Sequence, residues 1–244
     1  MPRCYLSLLL FITLLSLSAP TRATNNQTYV AHLGELPGLI NLDGSGAFVD
    51  FIRYLDEQDP HTRITIEVFP IHRAINSVAQ GRADFGLPAV RPTREVSTLP
   101  FAFSEVSFGQ VTHVLYTNKA APLSVKELWA TPSRYTIEAV PYYMPFKVQR
   151  SHGIKQSLLR LAAGRIDGFV WAQEEADMAL KELGLTMIKR AHFADFDDVF
   201  IIPKGKAGQE INAYLTRLIT RLRNQGDLVH EYRKVHRPYV DWQP

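Results

Sequence analysis

The stretch "AQGRADFGLP" (residues 79–88) returns further along the chain as "AAGRIDGFVW" (residues 162–171). Each copy follows an amphipathic run and precedes an apolar one. Ile75, Val78 and Ala79 match Leu158, Leu161 and Ala162 at helical spacing, so each segment presents one apolar stripe. Gly81 and Gly164 stand where a helix can stop in a left-handed turn, a conformation that costs glycine little. Arg82 and Arg165 can cover the last carbonyls of their helices. Asp84 and Asp167 open apolar runs suited to buried strands. The agreement spans helix, turn and strand together, which favours two helix–turn–strand corners over a chance recurrence of common turn residues. Two corners imply two α/β units of one construction.

The remaining segments fit an alternating α/β order. "YVAHL" predicts a first strand, "GAFVDFIRYLDEQ" a helix with Val49, Ile52 and Leu55 near one face, and "RITIEVFP" a second strand. "GQVTHVLYTN", "RYTIEAV" and "FDDVFIIPKG" are extended. Ile211, Tyr214, Leu215, Leu218, Ile219 and Leu222 form a helix stripe that Gly226 breaks, and "DLVHEYRKV" makes a shorter helix. Two α/β units joined by extended segments and followed by helices predict two lobes. Lobe 1 covers residues 24–115, lobe 2 covers 116–202, and 203–244 returns to lobe 1 with the C-terminal helices. The chain crosses between lobes near 112–120 and 198–205. A ligand would sit in the cleft between lobes.

The N-terminus reads as a cleavable secretory signal over residues 1–23. Arg3 is followed by the apolar run Tyr5–Leu17, and small residues precede cleavage after Ala23 or Ala19. The run is shorter than the roughly 20 residues that cross a bilayer. The mature chain would hold no cysteine, because the one cysteine is Cys4. An exported chain without disulfides relies on its core, and 46% hydrophobic residues can build one. Loss of Arg3 and Arg22 lowers the formal charge from +3 to about +1. That near-neutral balance gives no case for nucleic acid or a membrane surface.

In order and spacing, the chain resembles the family 3 periplasmic solute-binding proteins, the receptors of ABC importers for amino acids and similar polar solutes. "NLDGSGAFVDFIRYL" is similar to the family's Gly-rich turn and first helix. "VFPIHRAINSVAQGRAD" and "SLLRLAAGRIDGFV" resemble its two corners, "LPFAFSE" its Phe-Ser segment and "FIIPKG" its return strand. The resemblance implies a type II periplasmic-binding-protein fold: two α/β lobes, a two-strand hinge and C-terminal helices on the first lobe. It implies a periplasmic monomer that captures a small polar solute and delivers it to an ABC permease of the inner membrane, with no cofactor and no metal.

The resemblance also implies an arginine for a ligand carboxylate in "VRPTREVSTLPFAFSE", where Arg94 and Arg91 are both candidates; a guanidinium suits this task through its planar fork. It places Ala172 where amino-acid binders carry an aspartate for the ligand ammonium. Gln173 or Glu174 could substitute, while Glu175 reads as the exposed first turn of a helix. Tyr142, Tyr143 and Phe146 replace a Gly-Thr and offer stacking walls against which a cation could lie. Glu35, His72 and Ser104 complete the candidate ligand-binding set.

Signs of catalysis are sparse. The sequence has no Gly-x-Ser-x-Gly, His-Glu-x-x-His or phosphate-loop motif. The reading is therefore a binding protein and not an enzyme. Two alternatives remain: a periplasmic dehydratase of cyclohexadienyl substrates with Glu174 or His72 as acid or base, and a sensor partner of a membrane receptor. "HFADFDD", with His192, Asp195, Asp197 and Asp198, reads as a solvated turn, since its spacing does not match a calcium loop.

Overall fold

The computed structural model describes residues 27–93 and 97–244. The secretory-signal reading for residues 1–23 lies outside them. The elements in chain order are β1 (Gln27–Gly34), α1 (Ala47–Glu57), β2 (Thr62–Phe69), α2 (Ile71–Ala79), β3 (Phe85–Leu87), β4 (Ala102–Asn118), α3 (Val125–Ala130), β5 (Ile137–Ala139), β6 (Gln149–Arg150), α4 (Ile154–Ala162), β7 (Gly168–Ala172), α5 (Gln173–Leu183), β8 (Ile188–Ile202), α6 (Lys206–Gln225) and α7 (Asp227–Tyr232).

All strands join one sheet in the order β2-β1-β3-β8-β4-β7-β5-β6. Parallel strands sit at both ends: β2, β1 and β3 at one, β7, β5 and β6 at the other. Between them β4 and β8 run antiparallel over nearly their whole length. β3 attaches to β8 near Ile201, while β7 attaches to β4 from His113 to Tyr116. The two long strands therefore carry one parallel set at each end, and the sheet is two α/β lobes on a shared two-strand hinge. Three register shifts interrupt the pairing, between Phe103 and Ser107, Ser107 and Gly109, and His113 and Val114.

Each lobe has its own core. In the first, Phe48, Val49, Phe51, Ile52 and Leu55 of α1 pack with Ile211, Leu215, Leu218 and Leu222 of α6. The C-terminal helices thus cover the first lobe through the stripe visible in the sequence. In the second, Leu158 and Leu161 of α4 meet Ala176 and Leu180 of α5 on one face of the sheet. Leu123, Leu128, Met144 and Phe193 fill the other face. No helix among the described residues is long and apolar enough to cross a membrane.

The repeated phrase has a shared geometry. Gly81 and Gly164 are left-handed, with φ of 69° and 64°. The N–H of Gly81 bonds the Val78 carbonyl and that of Arg82 the Ser77 carbonyl; Gly164 and Arg165 bond Leu161 and Arg160 in the same way. It is the arginine backbone N–H that closes each helix. Asp84 then accepts the Val30 N–H at 2.7 Å, and Asp167 accepts the Thr136 N–H at 2.7 Å. Each aspartate returns its own N–H to the carbonyl of that same residue. The repeated Asp therefore staples each helix–strand turn to a neighbouring strand, within β1 in one lobe and just before β5 in the other. Asp84→Ala or Asp167→Ala is expected to cost about 1–3 kcal/mol, the range for charged hydrogen bonds, measured by urea unfolding. The equivalent Asn variant, which keeps an acceptor oxygen, should recover part of the loss.

Candidate functional site

The carboxyl ends of both parallel strand sets face one cavity. Leu36 follows β1, Ile71 follows β2 and Pro88–Val90 follow β3; Val140 follows β5, and Trp171 and Ala172 end β7. Ligands in open α/β sheets bind outside the carboxyl ends of strands, where the strand order switches. The cavity is about 130 Å³ and mostly apolar. A larger hollow of about 450 Å³, lined by Gln110, Asp197 and Arg223, lies away from the strand ends, between α7 and the hinge strands. A third hollow of about 500 Å³ beside the C-terminal tail also touches both lobes, along Pro37–Leu39 and the start of α5. The small cavity takes walls from the ends of β1, β3, β5 and β7 together, so we take it as the candidate site.

Aromatic side chains form one wall. Tyr142 and Tyr143, on the loop after β5, line the cavity with their rings edge to face, 4.5 Å between centroids. Tyr143 bridges the lobes: its hydroxyl accepts the Val90 N–H at 3.3 Å, and its carbonyl accepts the Thr93 hydroxyl at 3.0 Å. Trp171 adds a second ring system.

The ionisable groups gather at the hinge. His113 of β4, Asp198 of β8, Glu175 at the start of α5 and His236 after α7 all line the cavity and are buried. His236 lies between two carboxylates, 2.9 Å from Glu174 and 3.6 Å from Asp198. Asp198 also accepts the Tyr232 hydroxyl at 2.7 Å. Burial by itself would lower His236, but the Glu174 hydrogen bond and the nearby carboxyls carry it up to about 9. It is therefore an imidazolium at neutral pH. Burial pushes Asp198 up to about 6 and Glu175 up to about 7, and pushes His113 down to about 4. Two buried polar atoms here have no hydrogen-bond partner: Glu175 Oε2 and His113 Nδ1.

Of the candidate ligand-binding residues, Tyr142 and Tyr143 come together at this cavity. Arg94 falls outside the described residues. Arg91 is held on the hinge, donating to the Ser104 and Glu105 carbonyls at 3.3 and 2.9 Å and lying 3.5 Å from Asp197. Phe146 packs with Trp129 and Phe193 in the second-lobe core. Ser104 is fully buried; its hydroxyl donates to the Val106 carbonyl and accepts the Phe200 N–H. Gln173 accepts the Val240 N–H at 2.7 Å and so fixes the C-terminal tail. Glu35 and His72 are exposed and do not line the cavity.

No family model and no curated protein matches the chain. Solved structures do. A probable amino-acid ABC transporter extracellular-binding protein from Bacillus subtilis aligns over 86% of this chain and 97% of its own, with TM-score 0.61 and 15% identity. A histidine kinase sensor domain with similarity to periplasmic binding proteins gives TM-score 0.61 and 16% identity over 86% of this chain and 96% of that one. The ancestral amino acid-binding protein AncCDT-1, a precursor of cyclohexadienyl dehydratase, gives TM-score 0.58 and 13% identity over 86% and 95%. The chain has the type II periplasmic-binding-protein fold.

Within this type II fold, two features escaped the sequence reading. "HFADFDD" is not a turn: it belongs to the continuous strand β8, and Asp198 is buried because β8 runs between the lobes. Among the described residues no group of three or more His, Cys, Asp or Glu is placed to hold a metal. Glu175 is not an exposed helix start: α5 begins directly from β7, so its first turn is carried into the cavity. A charged residue three positions past an apolar strand was the one available signal for it.

The C-terminal tail of the type II chain also takes an unexpected course. The expected first-lobe stretch 203–244 ends on the second lobe, where Tyr239 and Trp242 pack beside α4 and α5. Arg190 of β8 binds Asp177 through two bonds of 2.6 Å and donates to the Val240 and Trp242 carbonyls. The Trp242 indole N–H reaches Asp177 at 3.0 Å.

Proposed function

We propose that the chain is a periplasmic solute-binding protein, exported by a signal over residues 1–23. It would act as a monomer that closes two lobes on a small solute and presents the closed form to an ABC importer. The lobes divide near residues 112–120 and 198–205. One observation carries the reading: both lobes contribute walls to a single cavity at the ends of their parallel strands. Contacts from both sides of a hinge make closure depend on the solute, since a ligand that touches both lobes favours the closed arrangement. The similarity to a probable extracellular-binding protein of an amino-acid ABC transporter supports it.

The test is a thermal-shift screen of the mature protein against amino acids, amines, alcohols and carboxylates. A solute at about one hundred times its Kd should add about 2.7 kcal/mol of stability. A flat response across every class would remove the proposal.

A second reading has its own observation. A buried carboxyl near neutrality and a neutral imidazole lining one cavity suit proton transfer, and such groups in a cleft mark functional sites. The similarity to a dehydratase precursor makes a cyclohexadienyl acid the substrate to try. Product formed by wild-type protein but not by Glu175→Gln would favour the enzyme.

A further inference from the structure

Taking the solute-binding reading as given, we propose that the cavity receives a small organic amine without a carboxylate. Its ammonium would lie between Glu175 and His113, and its apolar body against Tyr142, Tyr143 and Trp171.

Charge makes the first argument. Among the described residues no arginine or lysine lines the cavity. The cation that does face it, His236, is already held between Glu174 and Asp198. Glu175 forms no ion pair with His236 and feels its charge only at a distance. A ligand carboxylate would meet Glu175 and Asp198 with no uncommitted positive group among these residues. An ammonium would supply the missing counter-charge, and a buried carboxylate is costly without one.

Hydrogen bonding makes the second. Glu175 Oε2 and His113 Nδ1 are buried and unpartnered. An ionised carboxylate only accepts, and a neutral imidazole always has one accepting nitrogen. An ammonium brings three donors. A carboxylate brings none and would leave an ionised Glu175 unmatched.

Shape makes the third. Beyond these groups the walls are Leu36, Ile75, Val111, Val140 and Met144 together with the aromatic rings. Apolar cavities of about 150 Å³ admit a molecule of benzene size. A volume of about 130 Å³ is slightly below that, which limits the body of the ligand to one small ring or a short branched chain. Aromatic faces beside the charge favour a cation further.

The proton balance supplies a signature. Burial holds Glu175 up to about 7. The groups around it are Glu174 on its own helix, Asp198 on β8, His113 on β4, His236 after α7, and Tyr143 on the loop after β5. An ammonium arriving beside it favours the ionised form, so binding releases a proton from the Glu175 carboxyl to solvent.

The experiment is calorimetric titration of the full mature chain with benzylamine, benzyl alcohol, benzoate and free L-amino acids. Benzylamine should bind at least tenfold more tightly than benzyl alcohol. At about pH 6 its heat should vary with buffer ionisation enthalpy in the sense of proton release. Glu175→Gln should lose tenfold or more for benzylamine and nothing for benzyl alcohol. Equal binding of amine and alcohol would overturn the proposal. So would tighter binding of benzoate or an amino acid, and its loss in Arg94→Ala would assign the carboxylate to that arginine. In either case the solute-binding reading survives and the amine class does not. If no class binds at millimolar concentration, both fall.

Discussion

Arg190→Ala is expected to lose about 3–5 kcal/mol of folding stability, the cost of breaking a buried ion pair from one side. The Arg190 side chain has no solvent exposure. Its Nε and Nη2 bind both oxygens of Asp177 at 2.6 Å, and Nη1 donates to the Trp242 and Val240 carbonyls at 2.7 and 3.1 Å. The guanidinium also lies 4.5 Å from the Trp242 ring centroid. Truncation leaves Asp177 buried with only neutral donors, Tyr116 and Trp242. It also leaves two tail carbonyls without their donor. Arg190→Lys keeps the charge but not the planar fork, so it should recover less than half of the loss. Urea unfolding measures both, and a loss below about 1 kcal/mol would place this cluster with exposed pairs that contribute little.

The second large effect concerns pH. Glu175 and Asp198 are raised in the fold, to about 7 and about 6, by burial. Their contribution is present below their unfolded values and is lost as pH climbs through 6–7. His236, raised to about 9, contributes fully below about 6.5 and loses its contribution as pH rises through 9. His113 and Glu174 are both lowered and act oppositely, contributing above about 6.5 and 4.5 respectively and losing it as pH falls. The two sets offset one another in acid. Above pH 6.5 the proton-retaining groups act alone, so stability should fall by on the order of 3 kcal/mol between about pH 6.5 and 9. Glu175→Gln cannot ionise. At pH 8 it should gain on the order of 2 kcal/mol, part of the carboxylate's cost being returned through attraction to His236. Thermal melts across pH check the sign: a wild-type midpoint that rises from pH 6.5 to 9 would contradict it.

Local signals made much of this fold readable. The two corners are written in consecutive residues, because a left-handed glycine and an Asp staple are short-range devices. The α6 stripe and the Gly226 break are of the same kind. The site is different. Glu175, Asp198 and His236 meet through β8, α5 and the tail, and no periodicity connects residues 175, 198 and 236. Asp198 in "FADFDD" looks solvated until the strand beneath it is known to pass between lobes. Tyr142 and Tyr143 were legible because paired aromatics between prolines have few roles on a surface. Arg91 shows the converse: its residue type suits a carboxylate, yet the nearest acceptors are hinge carbonyls.

The tail changes what a hinge of two strands can do. With residues 237–244 fastened across Gln173, Asp177, Arg190 and Lys119, the chain crosses between the lobes a third time and is held there by hydrogen bonds. A jaw held at two points gapes freely, whereas one laced at a third is steered: widening the mouth must either unlace Trp242 from Asp177 or rotate the lobes about the lacing itself. Residues 237–244 would thus set the arc of any swing between the two lobes.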